Sequence, residues 1–162
     1  MDRLLLLFPL GYLLAISIPL AVIDLREHRL PNKLTISAIA VTLFCLVAST
    51  WLSRDWLAFF SALVAAAATF LIGWFLAARS LVGMGDIKLL VSLNAFAGYL
   101  APLLPLLSLA AAMILATVVS SVSLFRKRLT MQSSIALGPY LLLGFYLAVI
   151  PRAVEITAVA WS

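Results

Sequence analysis

The chain alternates long stretches without any charged residue with short charged segments. Five uncharged stretches cover residues 4–23, 34–53, 56–78, 89–125 and 129–151. Four of them have the roughly 20 residues that a helix needs to cross a ~30 Å hydrocarbon core. The remaining stretch, residues 89–125, would reach ~55 Å as a single helix. We therefore expect it to form two spans, with Gly98, Pro102 and Pro105 as candidate breaks. The pattern therefore predicts six membrane helices, at about 4–23, 34–53, 56–78, 86–104, 106–125 and 131–151.

Composition supports a polytopic membrane protein. Of the 162 residues, 65% are hydrophobic and 10% are charged, and the mean hydropathy is +1.21. Soluble domains have about 45–50% apolar and about 25% charged residues. The first stretch is longer than a typical signal-peptide core and lacks a small-residue cleavage site, which favours a retained span. We predict one all-α domain over residues 1–162, a bundle of six transmembrane helices.

The net charge of +5 does not indicate nucleic-acid binding, because the basic residues are scattered between apolar spans. In the six-span layout, one side carries three basic residues, Arg3, Arg54 and Arg152. The other side carries eight, namely Arg26, Arg29, Lys33, Arg79, Lys88, Arg126, Lys127 and Arg128. The richer side is predicted to be cytoplasmic, so both chain ends are predicted to face the outer side of the membrane.

Two acids, Asp24 and Asp86, lie at ends of predicted spans that share the cytoplasmic edge. Ionisable residues are costly there and are candidate functional groups. Two carboxylates held close together share a proton, so one can take a proton from water while the other supports the oxyanion. The chain has one histidine, one cysteine (Cys45) and no HExxH pattern, so we predict neither a metal nor a cofactor.

Other interpretations of these residues stay open at this point. Asp24 could pair with Arg26 or Arg29 in a solvated loop. Asp86 could pair with Lys88 at a helix N-terminus, where a carboxylate is favoured in any case. Gly83 and Gly85 allow unusual backbone conformations or the close approach of another chain segment, but they also suit an ordinary junction between a loop and a helix.

The segment Gly83-Met84-Gly85-Asp86 resembles the GxGD signature of the type IV prepilin peptidases, which are membrane aspartic proteases. The segment after Asp24, with Leu30-Pro31-Asn32 and Leu34-Thr35, is similar to the first catalytic motif of that family. Gly138-Pro139-Tyr140 is similar to a third and weaker feature. The resemblance extends from the first predicted span to the sixth.

The resemblance implies an aspartic endopeptidase of the inner membrane that removes a short basic leader from a prepilin or pseudopilin at the cytoplasmic face. Asp24 and Asp86 correspond to the catalytic pair. Candidate supporting residues are Gly83, Gly85, Pro31, Asn32, Lys88, Gly138 and Pro139. Larger members also methylate the new N-terminus with a segment that contains paired CxxC motifs, and this sequence has no such motif. We therefore expect a short, peptidase-only enzyme, as in tight-adherence (Flp) pilus systems.

Two other functional classes are compatible with the pattern. In a small ion- or proton-coupled transporter the same acids would bind ions, although both lie at the membrane edge and the two halves show no inverted repeat. In a non-catalytic scaffold for pilus assembly, neither acid would matter.

Overall fold

The computed structural model describes residues 4–27, 29–125 and 136–161. Over these residues the chain forms six α-helices and no strand, which confirms the predicted all-α fold. A short 3₁₀ turn, Leu4–Leu6, precedes them. The helices are α1 (Leu7–Glu27), α2 (Asn32–Ser53), α3 (Trp56–Ala78), α4 (Met84–Leu100), α5 (Leu104–Phe125) and α6 (Gly138–Trp161).

Four segments of the described chain are long and apolar enough to cross a membrane: α1, α2, α3 and the Leu104–Val122 part of α5. Helix α4 has 17 residues and is therefore only about 25 Å long. That α4 and α6 also cross the membrane stays a prediction.

Helix α4 is the centre of the bundle. It packs against α2, α3, α5 and α6, and every residue from 92 to 99 is buried. The outer helices instead present large apolar side chains to their surroundings, such as Leu57, which is 81% exposed, and Phe44, which is 75% exposed. An apolar outer surface of this extent suits contact with lipid.

Polar side chains join the helices inside the bundle. The hydroxyls of Thr42 and Ser92 lie 3.1 Å apart between α2 and α4. Those of Ser17 and Tyr146 lie 2.8 Å apart between α1 and α6. Such bonds between helices contribute to association where lipid offers no hydrophobic driving force.

Several predicted boundaries are shifted. The break between α4 and α5 falls at residues 101–103, so Pro102 lies in it. Gly98 and Pro105 are wrong as breaks: Gly98 is inside α4, and Pro105 is the second residue of α5. A proline is tolerated there because the amides of the first turn have no partner within the helix.

The first and last helices also differ from the prediction. Helix α1 continues to Glu27, so Asp24 lies within its last turns and not in a loop. Helix α6 begins at Gly138, so Gly138-Pro139-Tyr140 opens this helix. Residues 131–135 of the predicted sixth span lie outside the described residues.

Candidate active site

Segments from three helices meet at one end of the bundle. Asp24 comes from the end of α1, Asp86 is the third residue of α4, and Gly138 is the first residue of α6. The loop between α1 and α2 adds Leu30, which contacts the first turn of α4. The site is therefore built from parts of the chain that are far apart in sequence.

Asp24 is held by the beginning of α6. Its side chain is only 4% exposed, and its Oδ2 accepts a hydrogen bond of 2.8 Å from the backbone N–H of Gly138. A Cβ atom on residue 138 would lie 2.8 Å from the same oxygen. Glycine is therefore the residue that lets the backbone approach the carboxylate this closely.

Asp86 is half-buried and is held by its own helix terminus. Its carboxylate accepts a backbone hydrogen bond from Gly83, the N-cap residue of α4. This is one half of a capping box, in which an acceptor at the third helical position binds the N–H of the N-cap. A Cβ at Gly83 would lie 3.1 Å from Oδ2 of Asp86.

The structure brings the two acids together. The carboxylate of Asp24 is near enough to act electrostatically on that of Asp86, and both acids lie at the same end of the bundle. Their catalytic role stays a prediction. Among the described residues, no three His, Cys, Asp or Glu side chains are grouped so that they could hold a metal ion.

The α1–α2 loop and the beginning of α4 are in direct contact. A Cβ on Gly85 would lie 2.8 Å from Cβ of Leu30 and 3.2 Å from its carbonyl oxygen. Nearby, Nζ of Lys88 donates a 2.9 Å hydrogen bond to Oδ1 of Asn32. The two sequence motifs that carry the acids are thereby joined to each other.

Gly83 and Gly85 are explained by close approach and not by unusual backbone angles. No described glycine has a positive φ, and Gly83 has an extended conformation with φ −70° and ψ 139°. Pro31 is the N-cap residue of α2, and its carbonyl accepts from the amides of Leu34 and Thr35. Pro139 follows Gly138 in the first turn of α6, where no intrahelical donor is lost.

The alternative ion pairs are not formed within the described part of the chain. There, the salt bridge found joins Arg152 to Glu155, far from both acids in sequence. The ammonium group of Lys88 binds Asn32 and not Asp86.

Sequence reasoning missed a groove that begins at Asp86. Its volume is about 760 Å³, and it lies between α3, α4 and α5. It reaches Leu137, just before α6, and Leu141, near the start of that helix. Its walls are mostly apolar; Asp86 and Asn94 are the polar members from α4. The spacing of Asp86, Leu90 and Asn94 at i, i+4 and i+8 places them on one helix face and was the available signal.

A family model described as the type IV leader peptidase family matches residues 11–121 of the chain. The matched region contains both acids and the whole of α2, α3 and α4. No curated protein and no solved structure matches the chain. Since the family match covers more than half of the sequence, this chain belongs to the type IV leader peptidase family.

Proposed function

We propose that the chain is an aspartic endopeptidase that removes the leader from a prepilin-type substrate, with Asp24 and Asp86 as its catalytic pair. Membership of the leader peptidase family supports peptidase activity. The observation that carries the mechanism is that different helices bring two carboxylates to one end of the bundle, near enough to interact electrostatically.

In this mechanism the two acids share one proton, because two adjacent carboxylates do not both ionise easily. The ionised carboxylate takes a proton from a water molecule as the water oxygen bonds to the amide carbon. The protonated one gives its proton to the carbonyl oxygen. The tetrahedral intermediate collapses when the nitrogen of the scissile bond receives a proton from the first acid and the second acid takes a proton back from one hydroxyl. The C–N bond then breaks, which gives a carboxylic acid and an amine and restores both acids to their starting state.

The surrounding backbone positions the acids. The Gly138 amide orients Asp24, and the Gly83 amide orients Asp86. The contact between Gly85 and Leu30 keeps the α1–α2 loop against α4. Precise placement of this kind is a large part of what an enzyme contributes to the rate.

The substrate is proposed to be a prepilin or pseudopilin, and more narrowly an Flp-type prepilin, cut at the cytoplasmic face of the inner membrane. The predicted topology supports this side, since five basic residues of the described chain flank the site: Arg26, Arg29, Lys33, Arg79 and Lys88. The methylating segment of larger members contains paired CxxC motifs, whereas this sequence has one cysteine, which is buried within α2. We therefore propose peptidase activity alone, without N-methylation.

The proposal is tested by co-expressing the protein with a prepilin and following the size of the prepilin on a gel. Asp24→Asn and Asp86→Asn are each expected to leave the prepilin at full length, since an amide neither takes nor gives the required proton. The amount of each variant in the membrane should match that of the wild type.

Asp55→Asn is the matched control. Asp55 is exposed at the other end of the bundle, where it caps α3 through the amide of Ala58, and asparagine caps a helix about equally well. This variant should process normally. Processing by either Asp24→Asn or Asp86→Asn would refute the catalytic pair, and altered ion flux with no effect on a prepilin would favour a transporter.

A further inference from the structure

The groove that begins at Asp86 runs along α4 away from the site. Asn94 lies eight residues further along the same face of this helix, which corresponds to about 12 Å. The opposite walls are α3 and α5, with side chains such as Val64 and Leu106 that are 68% and 66% exposed. The groove thus extends from a candidate catalytic acid along an apolar surface that is open at the side of the bundle.

Asn94 is unusual among the residues that line this groove, because part of its side chain is buried without a partner. It is 4% exposed, and its Oδ1 is buried without a hydrogen-bond partner among the described residues. A buried polar atom without a partner typically costs stability. The packing of the described bundle provides no partner for this oxygen.

The orientation of the Asn94 amide follows from its neighbours. The hydroxyl of Thr69 donates its proton to the carbonyl of Ala65 at 2.7 Å, so its oxygen acts as an acceptor toward Asn94. The Nδ2 of Asn94 donates to that oxygen at 2.9 Å. This leaves the amide oxygen as the free acceptor of the side chain.

We propose that the groove holds the apolar segment that follows the scissile bond of the substrate, and that Asn94 accepts a hydrogen bond from the first helical turn of this segment. The inference rests on the proposed function. It makes Asn94 a residue that selects substrates, outside the chemistry of the two acids.

The chemistry of the partner follows from peptide geometry. A substrate must be extended where its peptide bond is attacked, and a membrane segment beyond that point returns to a helix. The first four amides of a helix have no partner within it. About 12 Å corresponds to three or four extended residues, so the free amides of the substrate helix arrive beside Asn94. Because Oδ1 is shielded from water, the Asn94 side chain must rotate toward the groove to accept this bond, and the oxygen then loses no hydration.

The first test compares two substrates in cleavage assays with purified enzyme in lipid. For a natural prepilin, Asn94→Leu is expected to raise KM about three- to tenfold, the usual effect of losing one hydrogen bond, with little change in kcat. The second substrate carries Ser or Asp three or four residues after the scissile bond, which caps its own helix. Its KM should be insensitive to Asn94→Leu.

Ser49→Ala is the matched control for this test. The Ser49 hydroxyl is likewise buried without a partner among the described residues, but it lies on α2 outside the groove, so its removal should leave both KM values unchanged. Equal effects of Asn94→Leu on the two substrates, or no effect on either, would overturn the role of Asn94.

A second test locates the substrate without requiring cleavage. In a Cys45→Ala, Asp24→Asn background, single cysteines replace Val64 or Leu106 in the groove, or Phe44 or Leu147 on other lipid-exposed faces. A prepilin with one cysteine in its apolar segment should form disulfides with the two groove positions. Equal or stronger crosslinking to Phe44→Cys or Leu147→Cys would refute binding of the substrate segment in the groove. If the enzyme with both acids still cleaved the prepilin, the proposed peptidase function would stand.

Discussion

The position of the Asp24 carboxylate depends on residue 138 being a glycine, which has no side chain. In Gly138→Ala, the new Cβ would meet Oδ2 of Asp24 at 2.8 Å and its Cγ at 3.2 Å, so the acid or the beginning of α6 must move. Displacements of about 1 Å at a reacting group slow catalysis by up to about 100-fold. We therefore expect leader cleavage, measured as an initial rate with purified enzyme, to fall about 10- to 100-fold.

The same substitution at Gly11 is the control, because a Cβ there meets no heavy atom within 4 Å. Gly11→Ala should cleave at the wild-type rate, and both variants should accumulate normally in the membrane. A wild-type rate for Gly138→Ala would show that the position of Asp24 does not limit the reaction.

At the scale of single residues, the sequence indicates the ionisable groups that are costly to place in a membrane. It does not indicate the hydrogen-bond partners that only the packing of the helices brings together. Asp24 and Asp86 stand out because a charge at the end of an apolar run needs a reason. The bond from Lys88 to Asn32 spans 56 positions, and no local pattern indicates it. Asn94 lies within a run of apolar residues, and its unpartnered oxygen becomes visible only when every neighbour is known.

Helices α5 and α6 approach each other so closely that one glycine decides their spacing. A Cβ on Gly144 would lie 2.5 Å from the backbone nitrogen of Ala112 and 2.7 Å from its Cα. A backbone cannot yield as a flexible side chain can. Gly144→Val is therefore expected to destabilise the protein by about 1–3 kcal/mol, the usual cost of overpacking, seen as a lower midpoint of thermal unfolding in detergent.

Gly11→Val provides the comparison for this packing effect. It introduces the same side chain into a helix, but at a position with open space, so only the intrinsic difference in helix propensity, below about 1 kcal/mol, remains. Equal midpoints for the two variants would mean that α5 and α6 can separate at little cost.

At the scale of helices, uncharged stretches located the helices but not their ends. The stretch that begins the chain stops at Ile23, yet α1 continues to Glu27, because charged residues are compatible with a helix once it has left the apolar layer. The long fourth stretch forms two helices, as predicted, but the positions of glycine and proline left three candidate breaks. Burial of Gly98 against α3, a tertiary contact, is what excludes one of them.

At the scale of the whole molecule, helix order and charge predicted which helix ends face the same side. They did not predict that α4 would be central, since its mean hydropathy is not the highest of the six and its burial arises from contacts with four neighbours. The groove between α3, α4 and α5 has the same origin. It exists because α3 packs mainly on α4 and leaves much of its other surface uncovered.

The orientation of the bundle decides from which compartment the acids are reached. Among the described residues, two basic residues, Arg54 and Arg152, lie toward the end of the bundle opposite the site, whereas five lie near the site. This asymmetry predicts that Asp24 and Asp86 face the cytoplasm. In a Cys45→Ala background, a cysteine at Leu103, which is 67% exposed at the opposite end, should react with a membrane-impermeant maleimide in intact spheroplasts. A cysteine at Leu81, which is 65% exposed beside the start of α4, should react only after the membrane is opened. The reverse pattern would place the acids outside the cytoplasm and would require the leader to be cut after it has crossed the membrane.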